Sequence, residues 1–284
     1  MPLAARRPVL RAASWMGGAL ASFMLMAIAG RELSHELSTF QILFFRSLVG
    51  LIVIVALLQR MGWGRVRTQS LGTHFTRNLA HFAGQYGWFT GLALIPLTEV
   101  FAIEFTMPIW TAILATLILG ERMTGLRAAA IVLGFAGILV ILRPGMASVS
   151  VGALAVLGAA FIYAFAHTLT KLLSGRDAPI AILFYMTAIQ LPLGLAASLP
   201  NWVWPSAGAW PWVAAVGLSA LSAHYCLTRA FQLADASVVI PLDFLRLPLI
   251  ALVGLFVYGE PLDPWVMVGA AIVFLAIWLN LKSA

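Results

Sequence analysis

Residues Ala178–Thr228 read APIAILFYMTAIQLPLGLAASLPNWVWPSAGAWPWVAAVGLSALSAHYCLT and contain no Asp, Glu, Lys or Arg. A helix that crosses the hydrocarbon core of a bilayer needs roughly 20 mostly apolar residues. The stretch is long enough for two such helices, and Pro200, Pro205 and Pro211 separate them. The residues around this break include Trp202, Trp204, Trp210 and Trp212, and tryptophan is typical of the membrane–water interface. The stretch therefore predicts two transmembrane helices joined by an interfacial turn.

The composition of the whole chain supports a membrane protein. Of 284 residues, 62% are hydrophobic and 10% are Asp, Glu, Lys or Arg, whereas about 25% of residues are charged in ordinary soluble domains. So few charges could not cover the surface of a soluble protein of this length. The net charge of +7 comes from 17 Lys and Arg dispersed between apolar runs, which argues against nucleic-acid binding. Because Cys226 is the single cysteine, we expect no intramolecular disulfide and no multi-cysteine metal site.

Ten segments are long and apolar enough to span a bilayer, which predicts an all-α membrane protein with ten transmembrane helices. The predicted spans are residues 12–30, 37–59, 76–95, 98–119, 125–142, 151–171, 178–199, 208–230, 234–258 and 264–281. The first span follows Arg6, Arg7 and Arg11 as in a signal peptide, but it is long enough to cross the membrane. We therefore expect it to stay uncleaved as the first helix.

Basic residues predict the orientation of these helices, because cytoplasmic loops of membrane proteins are rich in Lys and Arg. With the N-terminus in the cytoplasm, thirteen basic residues fall on the cytoplasmic side and two, Arg31 and Arg143, on the other. The thirteen are Arg6, Arg7, Arg11, Arg60, Arg65, Arg67, Arg77, Arg122, Arg127, Lys171, Arg176, Arg229 and Lys282. This asymmetry predicts that both termini are cytoplasmic.

The two halves of the chain repeat each other at an offset of about 140 residues. Matching positions are Ile42-Leu43-Phe44 and Ile182-Leu183-Phe184, Tyr86 and Tyr225, Glu104 and Asp243, Phe105 and Phe244, and Gly120-Glu121 and Gly259-Glu260. They predict two five-helix domains, residues 12–142 and 151–281. Because five is an odd number, the second domain enters the membrane from the opposite side. Such inverted repeats enclose a central cavity that holds the substrate of an alternating-access transporter near the midplane.

A channel and a membrane enzyme are the alternatives to a transporter. A channel is disfavoured because the sequence shows no ring of like residues that would form a selectivity filter. An enzyme is disfavoured because the chain lacks the His-Glu-x-x-His, Gly-x-Ser-x-Gly and Asp-rich prenyl-diphosphate motifs. It also lacks a phosphate-binding Gly-Lys-Ser/Thr loop for ATP hydrolysis. A secondary transporter is therefore favoured, with no catalytic residue, cofactor or metal.

Motifs in both halves resemble those of the EamA-type branch of the drug/metabolite transporter superfamily. The first half has Phe44-Phe45-Arg46, Pro108, Leu119-Gly120-Glu121-Arg122 and Arg143-Pro144-Gly145. The second half has Thr228-Arg229-Ala230, Asp235-Ala236-Ser237-Val238-Val239, Pro241, Asp243-Phe244, Arg246 and Gly259-Glu260. The resemblance covers essentially the whole chain, and the Gly-Glu pair at matching helix ends is its most specific element.

This resemblance implies a carrier of the bacterial-type inner membrane. Members of the family export amino acids and related metabolites, or take up S-adenosylmethionine or riboflavin. We expect export of an amino acid or an amino-acid-derived metabolite, and the alternative is import of a preformed cofactor such as S-adenosylmethionine or riboflavin. The expected partners are a small-molecule substrate and the lipid bilayer, while coupling to protons and assembly as a homodimer are left open.

Two charged side chains lie at comparable depth in the second and fourth predicted spans. Arg46 is roughly 13 Å from the outer end of its span at 1.5 Å per residue, and Glu104 enters from the same side. Charges inside a membrane are costly, so each marks a candidate functional site and is expected to have a partner. We predict that Arg46 pairs with Glu104, in either a structural or a functional role.

Two further charges lie near the middle of the ninth predicted span. Asp243 and Arg246 are three residues apart and therefore on one helix face, between Pro241 and Pro248. The prolines remove backbone donors and can expose carbonyls to a cavity. Asp243 can hold the ammonium group and Arg246 the carboxylate of a zwitterionic substrate. Alternatively, the two side chains only neutralise each other.

Polar and aromatic residues follow helical spacing in three other spans. They are His81, Gln85 and Trp88 in the third span, Tyr163 and His167 in the sixth, and His224 in the eighth. Such stripes often make only interhelical hydrogen bonds, but the family resemblance implies that these helices surround the cavity. We predict that these side chains bind substrate, and that a histidine among them can carry a coupling proton.

Two carboxylates and two glycines have predicted structural roles. Glu121 and Glu260 stand where one predicted helix ends and the next begins, where a carboxylate is stabilised by the positive end of a helix dipole. We expect both to cap helices. Gly87 and Gly91 form a small-xxx-small face for close helix packing.

Overall fold

The computed structural model describes residues 3–119, 124–143, 149–233, 243 and 245–282. Within these ranges all regular structure is helical, as the sequence predicts. The α-helices are α1 Leu3–Ser34, α2 Thr39–Met61, α3 Leu71–Leu94, α4 Leu97–Glu104, α5 Met107–Leu119, α6 Gly125–Leu142, α7 Val151–Ser174, α8 Pro179–Ser198, α9 Trp210–Leu233, α10 Arg246–Tyr258 and α11 Pro264–Lys282. Short 3₁₀ helices span Trp63–Val66 and Leu199–Asn201.

Five segments of the described chain are long and apolar enough to cross a bilayer. They are Arg11–Ser34, Thr39–Met61, Gly125–Leu142, Val151–Thr170 and Pro179–Asn201. Arg246–Tyr258 and Pro264–Leu279 are shorter apolar helices. α3 has the length of a span, with 24 residues, but buries several polar side chains, among them His74, Arg77 and Asn78. The all-helical membrane architecture is therefore confirmed, while the arrangement of ten spans in inverted repeats stays a prediction.

The predicted fourth span, residues 98–119, is interrupted. α4 ends at Glu104 and α5 begins three residues later. Pro108 explains the interruption, because its ring lacks an N–H and would clash with the Glu104 carbonyl in a continuous helix. The Thr106 hydroxyl donates a hydrogen bond of 2.7 Å to the Ile103 carbonyl and so satisfies an acceptor at the end of α4. Glu104 consequently stands at a helix end within the predicted span.

The predicted ninth span, residues 234–258, is described in part. Its C-terminal portion forms α10, whose C-cap residue Gly259 has a φ of +64°. This left-handed backbone strongly favours glycine and is a common helix ending. Several predicted motif residues lie outside the described residues, namely Gly120, Glu121, Arg122, Pro144, Gly145, Asp235, Ala236, Ser237, Val238, Val239, Pro241 and Phe244.

Glu260 caps a helix, as predicted, but the helix is α4. Its Oε2 atom accepts a hydrogen bond of 2.8 Å from the Leu97 backbone N–H, the first residue of α4. Pro96 at the N-cap provides no side-chain hydrogen bond, so the carboxylate of a distant residue satisfies this donor. At the start of α11, Asp263 accepts from the Trp265 N–H at 2.9 Å and also pairs with Arg143.

The helices pack as two units that combine distant parts of the chain. The first unit comprises residues 1–82 and 169–243, and the second comprises residues 83–168 and 244–284. The first therefore contains α1, α2, α8 and α9, the second contains α4, α5, α6, α10 and α11, and α3 and α7 are divided between them. Each unit includes helices from both halves of the sequence. The domain boundaries at 12–142 and 151–281 stay a prediction.

Small residues set the helix contacts of the first unit. α1 packs along α9, and α2 packs against α8 and α9. Met16 of α1 lies in a buried apolar cluster with Cys226 of α9. The approach of α2 to α9 requires Gly217, because a Cβ atom there would lie 2.5 Å from the Cβ of Val49. These contacts are typical of helices that pack within a membrane.

Glycines have the same role in the second unit, where α6 packs along α11 and α10 packs against α4. A Cβ on Gly137 would lie 2.9 Å from the Gly269 carbonyl oxygen, and a Cβ on Gly269 would lie 2.8 Å from the Gly137 carbonyl oxygen. On α3, a Cβ on Gly87 would lie 2.6 Å from the Ala155 carbonyl oxygen of α7. The predicted packing face at Gly87 and Gly91 is thus confirmed.

Candidate functional site

A buried ion pair in the second unit joins the end of α4 to the start of α10. Arg246 Nη1 lies 3.5 Å from Glu104 Oε1. The two side chains are 5% and 14% exposed, respectively, so both charges are largely removed from water. Desolvation of such charges costs several kcal/mol each, and a buried pair persists only when further hydrogen bonds support it.

Aromatic side chains surround this ion pair. Trp88 Nε1 donates a hydrogen bond of 2.8 Å to Glu104 Oε2, so the carboxylate uses its two oxygens for two different partners. The guanidinium carbon of Arg246 lies 5.4 Å from the ring centre of Phe101 and 5.1 Å from that of Phe105. Both distances are within the range of a cation–π contact. We call Trp88, Phe101, Glu104, Phe105 and Arg246 the Glu104 cluster.

The Glu104 cluster offers both signs of charge beside apolar ring faces. Phe101, Glu104 and Phe105 lie on one face of the chain around the end of α4, because their spacing is i, i+3, i+4. Phe101 and Trp88 are almost fully buried, whereas Glu104 keeps part of its side chain exposed. Both charges therefore lie in an aromatic, apolar environment, where charge-assisted hydrogen bonds are strong.

A second polar group lies in the first unit, between α3 and α8. Gln190 Nε2 is 3.1 Å from His81 Nδ1 and 3.3 Å from the Asn78 carbonyl oxygen. The Asn78 carbonyl oxygen requires a donor, so the amide nitrogen of Gln190, and not its oxygen, faces this carbonyl and the His81 ring. An amide nitrogen only donates hydrogen bonds, so His81 Nδ1 accepts and the ring proton is on Nε2. The His81 and His224 rings are in edge contact, with centroids 5.7 Å apart.

Five other predicted site residues have no assigned role in these two groups. Tyr163 and His167 are half-buried and make an edge contact, with ring centroids 6.3 Å apart. Arg46 and Gln85 are buried, at 2% and 3% exposure, and Asp243 is half-buried. Roles in substrate binding for Arg46, Gln85, Tyr163, His167 and Asp243 stay predictions.

Comparison with known proteins identifies the family. The model of the EamA-like transporter family matches residues 10–143 and again residues 150–282. The chain belongs to the EamA-like transporter family.

Relatives of this EamA-like chain match it over nearly their whole length. The riboflavin transporter of Vibrio cholerae serotype O1 is 29% identical over 285 residues, which cover 96% of this chain and 95% of the relative. The S-adenosylmethionine uptake transporter of Rickettsia prowazekii is 26% identical over 269 residues, covering 95% and 92%. One solved crystal structure shares the fold, with a TM-score of 0.66, 17% identity, and coverage of 96% of this chain and 97% of its own. The chain is thus a membrane transporter.

The ion pair of this EamA-like protein combines one member of each predicted pair. The sequence suggested Arg46 with Glu104 and Asp243 with Arg246, whereas the structure places Arg246 beside Glu104. The packing of α10 against α4 is the physical reason, because it brings the start of one helix to the end of the other. A pair between Arg46 and Glu104, and a joint role of Asp243 and Arg246, stay predictions.

Two contact residues of the Glu104 cluster receive no role from the sequence pattern. Phe101 appears only as an apolar residue of a predicted span and Phe105 only as a repeat match with Phe244, and their position under a guanidinium depends on a distant helix. Gln190 does leave a signal, because it is a polar side chain inside an otherwise apolar segment and is fully buried. Polar residues within predicted spans therefore indicate buried contacts, as charged residues do.

Proposed function

We propose that this chain imports a preformed cofactor that carries a flat heteroaromatic ring, of the riboflavin or S-adenosylmethionine class, across the inner membrane. The mechanism is alternating access, with both termini in the cytoplasm. Similarity to a riboflavin transporter and to an S-adenosylmethionine uptake transporter, over more than nine-tenths of the chain, supports import of a cofactor over export of an amino acid.

The Glu104 cluster is the observation that carries the choice of substrate class. Trp88 and two phenylalanine rings surround the charges, and a planar ring system can pack against them when alternating access opens the buried site. Glu104 attracts a cationic centre such as a sulfonium or ammonium group, and Arg246 can donate to neutral acceptor atoms at the ring edge. The adenine of S-adenosylmethionine and the isoalloxazine of riboflavin both meet this description.

Export of an amino acid, our expectation from the sequence, has weaker support. It relied on Arg246 holding the carboxylate of a zwitterion, with Asp243 holding the ammonium group. The carboxylate beside Arg246 belongs to Glu104, at 3.5 Å. A substrate carboxylate would therefore have to compete with an internal one that is already buried at the site.

Transport by the purified chain in proteoliposomes tests the proposal. Labelled riboflavin, S-adenosylmethionine and a mixture of amino acids are presented separately, and empty liposomes give the background. We expect uptake of one of the two cofactors, saturable and blocked by its unlabelled form. Exchange of amino acids without uptake of either cofactor would refute the proposed substrate class.

Direction requires a cellular experiment. Expression in a bacterial strain that cannot make riboflavin, or in one that cannot make S-adenosylmethionine, should restore growth when the compound is supplied at low external concentration. The Glu104→Gln variant, produced at equal level, should not restore growth. Repeating the liposome assay with and without an inward proton gradient establishes whether uptake is coupled to protons, because only a coupled carrier responds to the gradient.

A further inference from the structure

A cavity of about 950 Å³ lies in the first unit, between the connection that joins α2 to α3 and the turn that joins α7 to α8. Its lining residues are Val66, Arg67, Thr68, Gln69, Ser70, Arg176, Asp177 and Tyr185. The distribution of basic residues predicts that both segments are on the cytoplasmic side. The cavity contains none of the residues of the Glu104 cluster or of the His81 contacts.

Hydrogen bonds fix the two walls of this cavity to each other. Asp177 Oδ2 accepts from Thr68 Oγ1 at 2.8 Å and lies 2.8 Å from His74 Nε2. The Tyr185 hydroxyl donates to the Val66 carbonyl at 2.9 Å, and the His74 ring lies on the Tyr185 ring with centroids 4.4 Å apart. The cavity is therefore formed before a ligand enters, which reduces the ordering cost of binding.

The charge of the cavity is positive. Arg67 and Arg176 are both exposed at its edge. Asp177 is the one acidic residue in the described lining, and its carboxylate is already engaged by Thr68 and His74. The sequence from 59 to 82 contains no Asp or Glu, so neighbouring residues add no negative charge there. Two guanidinium groups at the edge of this preformed cavity favour an anionic ligand.

Apolar side chains next to the cavity indicate that it borders the lipid. Leu71, Phe75 and Leu79 are 58%, 55% and 48% exposed, and their spacing of four places them on one face of α3. This stripe begins directly after Ser70 of the cavity lining. Trp63, on the 3₁₀ helix before the cavity, is 48% exposed, and exposed tryptophan is typical of the headgroup region.

We propose that this cavity binds the phosphate headgroup of an anionic phospholipid from the cytoplasmic leaflet. Arg67 and Arg176 contact the phosphate, and the acyl chains lie along the stripe of Leu71, Phe75 and Leu79. Basic pockets at this level of a membrane protein bind acidic headgroups in this manner. Inorganic phosphate carries the same charge but gains nothing from the apolar stripe, so the structure favours the lipid.

Native mass spectrometry of the purified full-length chain measures this binding. Phosphatidylglycerol and phosphatidylcholine with identical acyl chains are titrated in turn, and the phosphatidylglycerol adduct should form at lower concentration. An arginine near a membrane surface contributes about a fivefold factor in affinity for acidic lipid, so Arg67→Gln with Arg176→Gln should weaken binding about 25-fold. Arg65→Gln is the matched control, because Arg65 is exposed on the 3₁₀ helix, is not among the lining residues, and donates to the Met61 carbonyl.

Further measurements distinguish the proposed lipid binding from the alternatives. The pair Arg67→Lys and Arg176→Lys keeps both charges and should retain most of the binding, which distinguishes loss of charge from loss of fold. Equal affinity for the two lipids, or unchanged phosphatidylglycerol binding in the Gln pair, would overturn the proposal. So would displacement of the lipid by millimolar inorganic phosphate or glycerol phosphate, because the site would then recognise the phosphate alone.

Discussion

Glu104 Oε1 and Arg246 Nη1 lie 3.5 Å apart although the two residues are separated by 142 positions in the sequence. Glu104 is the last residue of α4, at the negative end of that helix dipole, and Arg246 is the first residue of α10, at the positive end of its own. Each charge is therefore disfavoured by the dipole of its own helix. Each residue alone would therefore be unfavourable in its position. Their pairing removes this cost and holds a carboxylate and a guanidinium together among aromatic rings.

Removal of either charge should break this buried ion pair. We expect Glu104→Gln or Arg246→Gln to lower the free energy of unfolding by up to about 3–5 kcal/mol, the range for broken buried pairs. The double variant should cost less than the sum of the single changes, because the two single changes break the same pair. Thermal unfolding in detergent measures this coupling, and strictly additive losses would contradict it.

The same variants report on transport. Glu104→Gln keeps an acceptor for Trp88 but removes the negative charge. A hydrogen bond to a charged group contributes roughly 1.5–3 kcal/mol. Uptake of the preferred cofactor should therefore fall at least about tenfold. Restored stability without restored uptake in the double variant would separate the structural role of the pair from its role in binding.

Trp88→Phe should test the indole hydrogen bond separately from the aromatic ring. The substitution keeps a ring at the site but removes the N–H that donates to Glu104 at 2.8 Å. We expect a loss of about 1.5–3 kcal/mol in stability or a comparable loss in substrate affinity, as for hydrogen bonds to charged groups. Binding of the cofactor is followed by the shift in unfolding temperature.

Trp110→Phe provides the matched control. Trp110 lies in the same unit and packs edge-on against Phe135 and Phe161, with centroids 5.1 Å and 5.5 Å apart. Its substitution preserves these ring contacts, so it should leave cofactor binding unchanged. Equal effects of the two substitutions would mean that the bond from Trp88 to Glu104 has no special role.

Local features of the fold follow from the sequence, because they depend on short-range patterns. The uncharged run Ala178–Thr228 contains α8 and most of α9, divided near Pro200 as predicted. The interruption before Pro108 also has a local cause, although the hydropathy of residues 98–119 conceals it. Apolar periodicity cannot distinguish one long helix from two short ones joined by two residues.

Contacts between distant helices could not be predicted in the same way. Asp243 and Arg246 are three residues apart on one helix face, so the spacing rule suggests that they act together, but it does not point to Glu104. The choice of Glu104 depends on how α10 packs against α4, which no local pattern encodes. The cap at Leu97 is a similar case, since its acceptor is Glu260, 163 residues away.

Gly137→Ala should destabilise the second unit. Its added Cβ would lie 2.9 Å from the Gly269 carbonyl oxygen and 2.8 Å from a Val273 methyl carbon, so α6 and α11 would have to separate. We expect a loss of about 1–3 kcal/mol, as for other overpacked sites. Gly158→Ala is the control, because a Cβ there meets nothing within 4 Å and alanine favours a helix. Equal unfolding temperatures for the two variants would refute this account of the α6–α11 contact.

Gln190→Leu should disrupt the hydrogen bonds that orient His81. The amide nitrogen lies 3.1 Å from His81 Nδ1 and 3.3 Å from the Asn78 carbonyl oxygen, and Gln190 is fully buried. Loss of a donor to buried acceptors costs about 1–3 kcal/mol. Thr187→Val is the control on the same buried stretch of α8, because the Thr187 hydroxyl donates to carbonyls of its own helix.

Nitrogen-15 NMR of labelled histidine tests the orientation of Gln190 directly. Because the amide nitrogen donates to Nδ1, the wild-type spectrum should show His81 as the neutral ring protonated on Nε2, and this signal should change in Gln190→Leu but not in Thr187→Val. A wild-type ring protonated on Nδ1 would mean that the amide is reversed. With the amide reversed, Nδ1 would already carry a proton, and a coupling proton could bind to Nε2 without moving Gln190. With the amide nitrogen facing the ring, the coupling proton must bind to Nδ1 and must first break the hydrogen bond from Gln190.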